Sequence, residues 1–280
     1  MQQKILLIAG PTASGKSARA VSEALARGGE VISVDSRQVY RTLDIGTEKI
    51  TPEEMQGVPH HLIDIREPEE SYSAGEFVLD AIRLIEEIAG RGRLPILAGG
   101  THFYFDALLK GLPQAVPTDF AFRKTLEPLS NEELLARVAT KDPRRAAALD
   151  PKNRRRLERA LEIIESAGSV AERPTQMNAP YETEWIVINP PSAELKERLT
   201  KRLEGAFARG LTEEVARVRE RVGDERLNEF GLEYRIVGEY LRGERTEASL
   251  LPALTAKLWQ YARRQKAWLR KLQNELITGA

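Results

Sequence analysis

The first hundred residues alternate between short apolar runs and stretches of helical period. Ile5-Leu6-Leu7-Ile8-Ala9 is a continuous apolar run, the mark of a strand covered on both faces. A helix is predicted from about Ala18 through residue 27, stopped by Gly28-Gly29. Glu30-Val31-Ile32-Ser33-Val34 alternates as a second strand, and residues 58–72 hold a short strand within a polar loop. From Ser73 to about Arg91, Ala74, Phe77, Ala81, Leu84, Ile85 and Ile88 share one helical face. Leu94 to Ala98 is a further buried strand and ends in Gly99-Gly100-Thr101. Strands alternating with helices in this way predict a doubly wound parallel sheet. After Leu112-Pro113 the rhythm breaks into prolines, charges and short helices, until Trp185-Ile186-Val187-Ile188 reads as a strand returning to the sheet. Residues 1–113 and 185–280 are therefore expected to form one core, with 114–184 a mainly helical insertion. Helices are expected over Leu195–Gly210, Thr212–Arg221, Tyr234–Leu241 and about Pro252 to Leu276.

Between the first strand and its helix lies Gly10-Pro11-Thr12-Ala13-Ser14-Gly15-Lys16-Ser17, the pattern G-x-x-x-x-G-K-[ST]. Glycines let successive N–H groups turn toward an anion, and the following helix adds its positive end. Lys16 reaches terminal phosphates and the Ser17 hydroxyl can ligate Mg²⁺. In this context the motif predicts a P-loop NTPase-like α/β fold and a polyphosphate ligand, ATP among the possibilities. Asp35-Ser36-Arg37-Gln38-Val39-Tyr40 follows the second strand, and polar residues just past strand C-termini are where ligands sit in open α/β sheets. Asp35 would then lie beside the phosphate loop; capping a following helix is the alternative. Thr101 offers a hydroxyl at the same sheet edge. The adjacent His60 and His61 diverge and lack a third ligand at useful spacing, which argues against zinc.

Charge changes the picture locally. Lys+Arg and Asp+Glu are equal at 42 each, so a nucleic-acid surface must be a patch. Lys141 to Arg159 carries eight basic against three acidic residues, and residues 248–274 carry no acidic one. In that last stretch Trp259, Tyr261 and Trp268 stand among Lys257, Arg263, Arg264, Lys266, Arg270 and Lys271, which suits RNA; a helix packing its aromatics on the core reads similarly. Arg198 and Arg202 share a helix face, as site residues or as surface decoration. No apolar run nears the roughly 20 residues of a membrane span. The N-terminus enters a strand directly after Met-Gln-Gln-Lys, so no signal peptide is expected. Zero cysteines exclude disulfides and thiolate metal sites and fit a reducing cytoplasm.

Several separated stretches together resemble the tRNA dimethylallyltransferase (tRNA isopentenyltransferase, IPP transferase) family. They are the phosphate loop, Asp35–Tyr40, Asp44-Ile45-Gly46-Thr47, Pro59–Ile65, Gly99-Gly100-Thr101, Asp142-Pro143, Arg156–Glu162, Gly231-Leu232-Glu233-Tyr234-Arg235 and Arg264-Gln265-Lys266-Ala267-Trp268. They run in family order over nearly the whole chain. The resemblance implies transfer of a dimethylallyl group from dimethylallyl diphosphate, with Mg²⁺, to N6 of the adenosine 3′ of the anticodon (position 37) in tRNAs reading codons that begin with U. It implies Asp35 as general base, Arg202 on the diphosphate, and Thr101 near the adenosine. It places Asp35, Ser36, Arg37, Gln38, Thr101, Arg123, Arg155, Arg156, Leu157, Glu158, Arg159, Phe230, Gly231, Leu232, Glu233, Tyr234 and Arg235 against tRNA, with the 114–184 insertion clamping the anticodon arm of a monomeric enzyme. Glu48-Lys49 stands where the family commonly has Ala-Lys, and His102-Phe103 where smaller or aliphatic residues are frequent.

Three rivals share parts of this pattern. A small-molecule P-loop kinase has no need of the insertion or the basic C-terminal helix. An isopentenyltransferase of free adenine nucleotides does not account for Arg154–Arg159. A non-enzymatic RNA-binding module leaves the phosphate loop and Asp35 without a purpose.

Overall fold

The structure is a computed structural model, and it describes residues 2–112, 116, 119–171 and 180–278. The chain divides into two compact units, Met1–Leu108 with Pro180–Ala280, and Leu109–Ala179. The boundary thus lies a few residues ahead of the 114–184 read from composition, because the returning strand already starts at Tyr181.

In the first unit, β1 (Gln3–Ala9), α1 (Lys16–Arg27), β2 (Gly29–Val34), α2 (Pro52–Met55), β3 (His60–His61), α3 (Ala74–Gly90), β4 (Leu94–Gly99) and α4 (His102–Lys110) follow in order, α4 running on into the second unit. All five strands of the described sheet pair in parallel, in the order β3-β2-β4-β1-β5, with β5 (Tyr181–Val187) at one edge. Ile5 to Ala9 are fully buried, as a strand with helices on both faces requires. The histidines of β3 serve structure: His61 Nε2 lies 2.8 Å from Glu30 Oε2, and His60 Nδ1 2.8 Å from Val58 O.

Register positions everything above the sheet. Ala9 pairs with Gly99 and with Val187, and Gly99 also pairs with Val34. Four strands therefore end on one row, and the residues after them emerge side by side. Gly99 allows this close approach, since a Cβ there would fall 2.1 Å from Val34 O. Local signals set the helices. Gly15 and Gly28 bracket α1 in the left-handed region, and Ser73 with Glu76 forms a capping box at the start of α3.

The second unit holds α5 (Phe120–Leu126), α6 (Asn131–Lys141), α7 (Pro143–Ala147) and α8 (Arg154–Ala167). Leu126, Leu134, Val138, Leu149, Leu157 and Leu161 make its core. Glu162 is fully buried there, yet Arg123 and Arg159 hold it at 2.7 and 3.1 Å. Burial works against its charge, and these hydrogen bonds outweigh that to keep its pKa below the usual value. The chain then re-enters the first unit with β5, α9 (Ser192–Ala208), α10 (Leu211–Leu227, bent at Gly223), α11 (Leu232–Leu241) and α12 (Leu250–Thr278). No helix among the described residues is long and apolar enough to cross a membrane.

Gly99→Ala is expected to destabilise the protein by about 1–3 kcal/mol or more, because backbone cannot yield as a side chain would. Urea unfolding followed by circular dichroism measures it, and an unchanged midpoint contradicts the role given to this register.

Candidate active site

The phosphate loop leaves β1 and curls back into α1. Ala13 and Gly15 take positive φ (61° and 88°), and Ser14 N–H donates to Pro11 O at 3.3 Å. Gly10 cannot be replaced easily, since a Cβ would meet Ser14 Oγ at 2.6 Å and Ile188 O at 2.8 Å. Lys16 Nζ donates to Pro11 O at 2.7 Å. Burial lowers the Lys16 pKa to about 8, with Asp35 opposing the shift and Arg202 adding to it. Arg202 Nη1 donates to Thr12 Oγ1 and Nη2 to Glu233 Oε1 at 3.2 Å. Arg198 Nη1 reaches Ser14 O at 3.4 Å. The loop is thus ringed by cations, and the buried Ser14 hydroxyl has no hydrogen-bond partner among the described residues.

Asp35 sits immediately past β2. No helix follows it for capping; instead its Oδ1 accepts from the N–H of Arg37 at 2.8 Å and of Gln38 at 3.4 Å, an Asx-type turn. Its other oxygen makes no hydrogen bond to the described residues and is left for a ligand. Ser17, Asp35, Arg37, Gln38, Lys16, Arg202, Glu233, Tyr261 and Gln265 line one cleft of about 610 Å³. That volume is in the range of small-molecule sites. A phosphate-binding end and a free carboxylate oxygen therefore share one pocket.

A family model described as IPP transferase matches residues 38–272. The chain belongs to the IPP transferase family. The tRNA dimethylallyltransferase of Thermomicrobium roseum is 41% identical over 280 residues, covering 97% of this chain and 85% of that protein. That of a Roseiflexus species is 42% identical over 283 residues, covering 99% and 93%. Among solved structures, the full-length tRNA isopentenylpyrophosphate transferase of Bacillus halodurans is similar with a TM-score of 0.72 at 37% identity, over 96% of this chain and 87% of that one. A eukaryotic dimethylallyltransferase solved acting on tRNA is similar with a TM-score of 0.80 at 27% identity, over 95% and 70%.

The site residues expected of an IPP transferase family member divide among the cleft, the core and the surface. Of the loop, Thr12 to Ser17 line the cleft, whereas Gly10 and Pro11 are buried and do not. Ser36, Arg37, Gln38, Gly231, Leu232 and Glu233 also face it. Thr101 does not line the cleft: its hydroxyl oxygen accepts from Ser36 N–H at 3.2 Å, so it braces the Asp35 turn. Tyr234 is 1% exposed and donates to Glu214, and Leu157 is 0% exposed in the helical unit's core. Both side chains are core residues, contrary to the expectation that they face RNA, since a side chain without exposed surface cannot meet a ligand. Phe230 is nearly as buried and reaches the cleft only as part of its wall. Arg235 is exposed beside Glu239. In the helical unit Arg155 and Arg156 are exposed, Glu158 pairs with Arg154 at 2.7 Å, and Arg123 and Arg159 are engaged by Glu162.

Sequence reasoning missed Gln265 as a site residue. This buried side chain on α12 accepts from Thr12 N–H and donates to Gly100 O, both at 2.9 Å. It ties the phosphate loop to the end of β4. Its only signal was its place inside the Arg264–Trp268 motif. Glu48 was also passed over; it pairs with Arg209 and lies 3.9 Å from Arg202.

Two outcomes follow. Gln265→Leu leaves the Thr12 N–H without its partner and should weaken inorganic diphosphate binding by about tenfold, within the usual cost of such a loss; calorimetry showing unchanged affinity counts against the tie. Lys16 is charged below about pH 8. Diphosphate affinity should therefore hold below that pH and fall above it, as binding comes to require proton uptake. Lys16→Met should remove this step from the titration.

Proposed function

We propose that this chain transfers a dimethylallyl group from dimethylallyl diphosphate to N6 of the adenosine 3′ of the anticodon, position 37, in tRNAs reading codons that begin with U. The observation that carries this reading is the shared cleft, with the phosphate loop at one end and the free oxygen of Asp35 facing it.

The chemistry divides between those ends. The loop N–H groups, Lys16 and Arg202 hold the diphosphate and stabilise the charge that develops on it as the C1–O bond breaks. The N6 amine of adenine is a poor nucleophile, because its lone pair is delocalised into the ring. Asp35 accepts a hydrogen bond from that amine and takes its proton as the N6–C1 bond forms. The atoms balance: one N–H and one C–O bond break, an N–C bond forms, and the products are prenylated adenosine, diphosphate and a protonated Asp35. Ser17 fits Mg²⁺, since its hydroxyl is exposed at the cleft wall with no hydrogen bond to another described residue. When bound there, Mg²⁺ would add positive charge beside the leaving diphosphate.

A cleft of this size suits one extruded nucleoside with its donor and excludes a duplex. That favours a base in a single-stranded loop, the usual target of sequence-specific RNA readers. The stripe of Lys257, Tyr261 and Arg264 on the exposed face of α12 starts at the cleft, where Tyr261 lines it, and suits RNA phosphates. We assign the helical unit, with exposed Arg155 and Arg156, to the anticodon arm, and place the enzyme in the cytoplasm as a monomer.

The test is a transfer assay with radiolabelled dimethylallyl diphosphate, Mg²⁺, and either unmodified tRNA or AMP. Label should enter tRNA and be lost when the adenosine 3′ of the anticodon is replaced. Label on AMP alone would move the chain to the free-nucleotide class, and consumption of ATP with no labelled product to the kinases. Asp35→Asn keeps an oxygen for the Arg37 and Gln38 N–H groups while losing the base. It should lower the single-turnover rate by about 10²- to 10⁴-fold with tRNA affinity retained, and a wild-type rate would refute the general-base role.

A further inference from the structure

Glu214, on α10, is 2% exposed and does not line the cleft. Its carboxylate is nonetheless fully used. Oε2 accepts from the N–H groups of Asp44 at 3.0 Å and Ile45 at 2.7 Å; Oε1 accepts from Gly46 N–H at 2.9 Å and from Tyr234 OH at 2.7 Å. Three consecutive backbone donors wrapped on one carboxylate form strong, charge-assisted bonds that fix the loop's conformation. Gly46 lets the loop close over Tyr234, since a Cβ there would fall 2.8 Å from the phenol ring.

The fixed loop continues into the site. Gln38 Nε2 donates to Thr47 O at 3.4 Å and to Glu48 O at 3.1 Å, and Gln38 Oε1 lies 3.3 Å from Ser33 Oγ. Gln38 N–H in turn donates to Asp35 Oδ1 at 3.4 Å. Hydrogen bonds joined through the backbone of residues 46–48 thus link a buried carboxylate just behind the cleft-lining Gly46 to the turn that aims Asp35.

We propose that Glu214 is a positioning residue for prenyl transfer, which holds the 44–48 loop and, through Gln38, sets the orientation of the Asp35 carboxylate. The inference rests on the reading of Asp35 as the base. It separates Glu214 from the phosphate loop, which Gln265 holds through the Thr12 N–H, while Arg202 bonds Thr12 and lies 3.9 Å from Glu48 of the held loop. Loss of Glu214 should therefore slow the chemical step without loosening the diphosphate.

Glu214→Gln puts an NH₂ group where backbone N–H groups already donate, so at least one loop bond is lost. Three readouts are taken together, with Asp35→Asn alongside: amide hydrogen exchange of the ligand-free protein, affinity for inorganic diphosphate, and single-turnover transfer at saturating tRNA and dimethylallyl diphosphate. Exchange should quicken at 44–48 and at 36–38 but not at 10–17. Diphosphate affinity should stay within about twofold while the rate falls about ten- to a hundredfold, as expected when a reacting group is misplaced by an ångström or less. Tyr234→Phe keeps the three backbone bonds, and it carries the test with a smaller fall in rate if Glu214→Gln does not fold. Exchange confined to 44–48, or a rate that falls only in step with diphosphate affinity, overturns the proposal. A wild-type protein that transfers, with a variant that transfers as fast, sinks the Glu214 inference alone; a wild-type protein that moves no prenyl group to tRNA removes the reaction itself and with it this role.

Discussion

The structure depends on one backbone constraint, the row on which Val34, Gly99, Ala9 and Val187 align across four parallel strands. Parallel strands carry all their C-terminal loops to one edge, so the phosphate loop, Asp35 and Gly100-Thr101 emerge as neighbours with no further device. The ladders to β1 and β2 hold β4 between them, and Gly99 permits the close approach to Val34 at their end. Widen that contact and Asp35 moves away from the phosphate loop. Gln265 then locks the same edge from above, joining Thr12 to Gly100.

Within the cleft, basic side chains stand against acidic ones. Lys16, Arg37 and Arg202 face Asp35 and Glu233, so the charges of the cleft partly neutralise one another. Burial raises the Glu233 pKa, and Arg202 pulls the other way. Arriving diphosphate would meet an Arg202 already aimed by Thr12 and Glu233, so little ordering remains for the ligand to impose. Burial depresses the Lys16 pKa, with Asp35 opposing and Arg202 adding to the shift.

The helical unit solves a different problem. It is small, and its core contains a charged glutamate. Glu162 is tolerated because Arg123 and Arg159 reach it from two helices and Asp119 N–H adds a further bond at 3.2 Å. Removing either arginine would leave a buried charge underpaired, which is the costly case. Those two arginines thus have a structural duty whatever else they contact, whereas Arg155 and Arg156 have exposed side chains.

By itself the sequence determined the parts whose signal is local. The phosphate loop, the buried strands, the amphipathic helix from Ala74 to Gly90 and the position of Asp35 were all legible, because period and turn chemistry act over a few residues. The ordered motifs were enough to point to the family. What the tertiary structure decided is which residues meet. Gln265 reaches Thr12 across 253 positions and Glu214 reaches Asp44 across 170, and such contacts leave no periodicity to read. The same limit hid the burial of Leu157 and Tyr234: both lie in motif stretches, but a helix shows one face to solvent and another to the core, and only packing decides which. Thr101 likewise stands at the right edge of the sheet, yet its hydroxyl is taken by Ser36. Local chemistry was written in the chain, and its assembly into one cleft was settled by the parallel register that brings distant segments together.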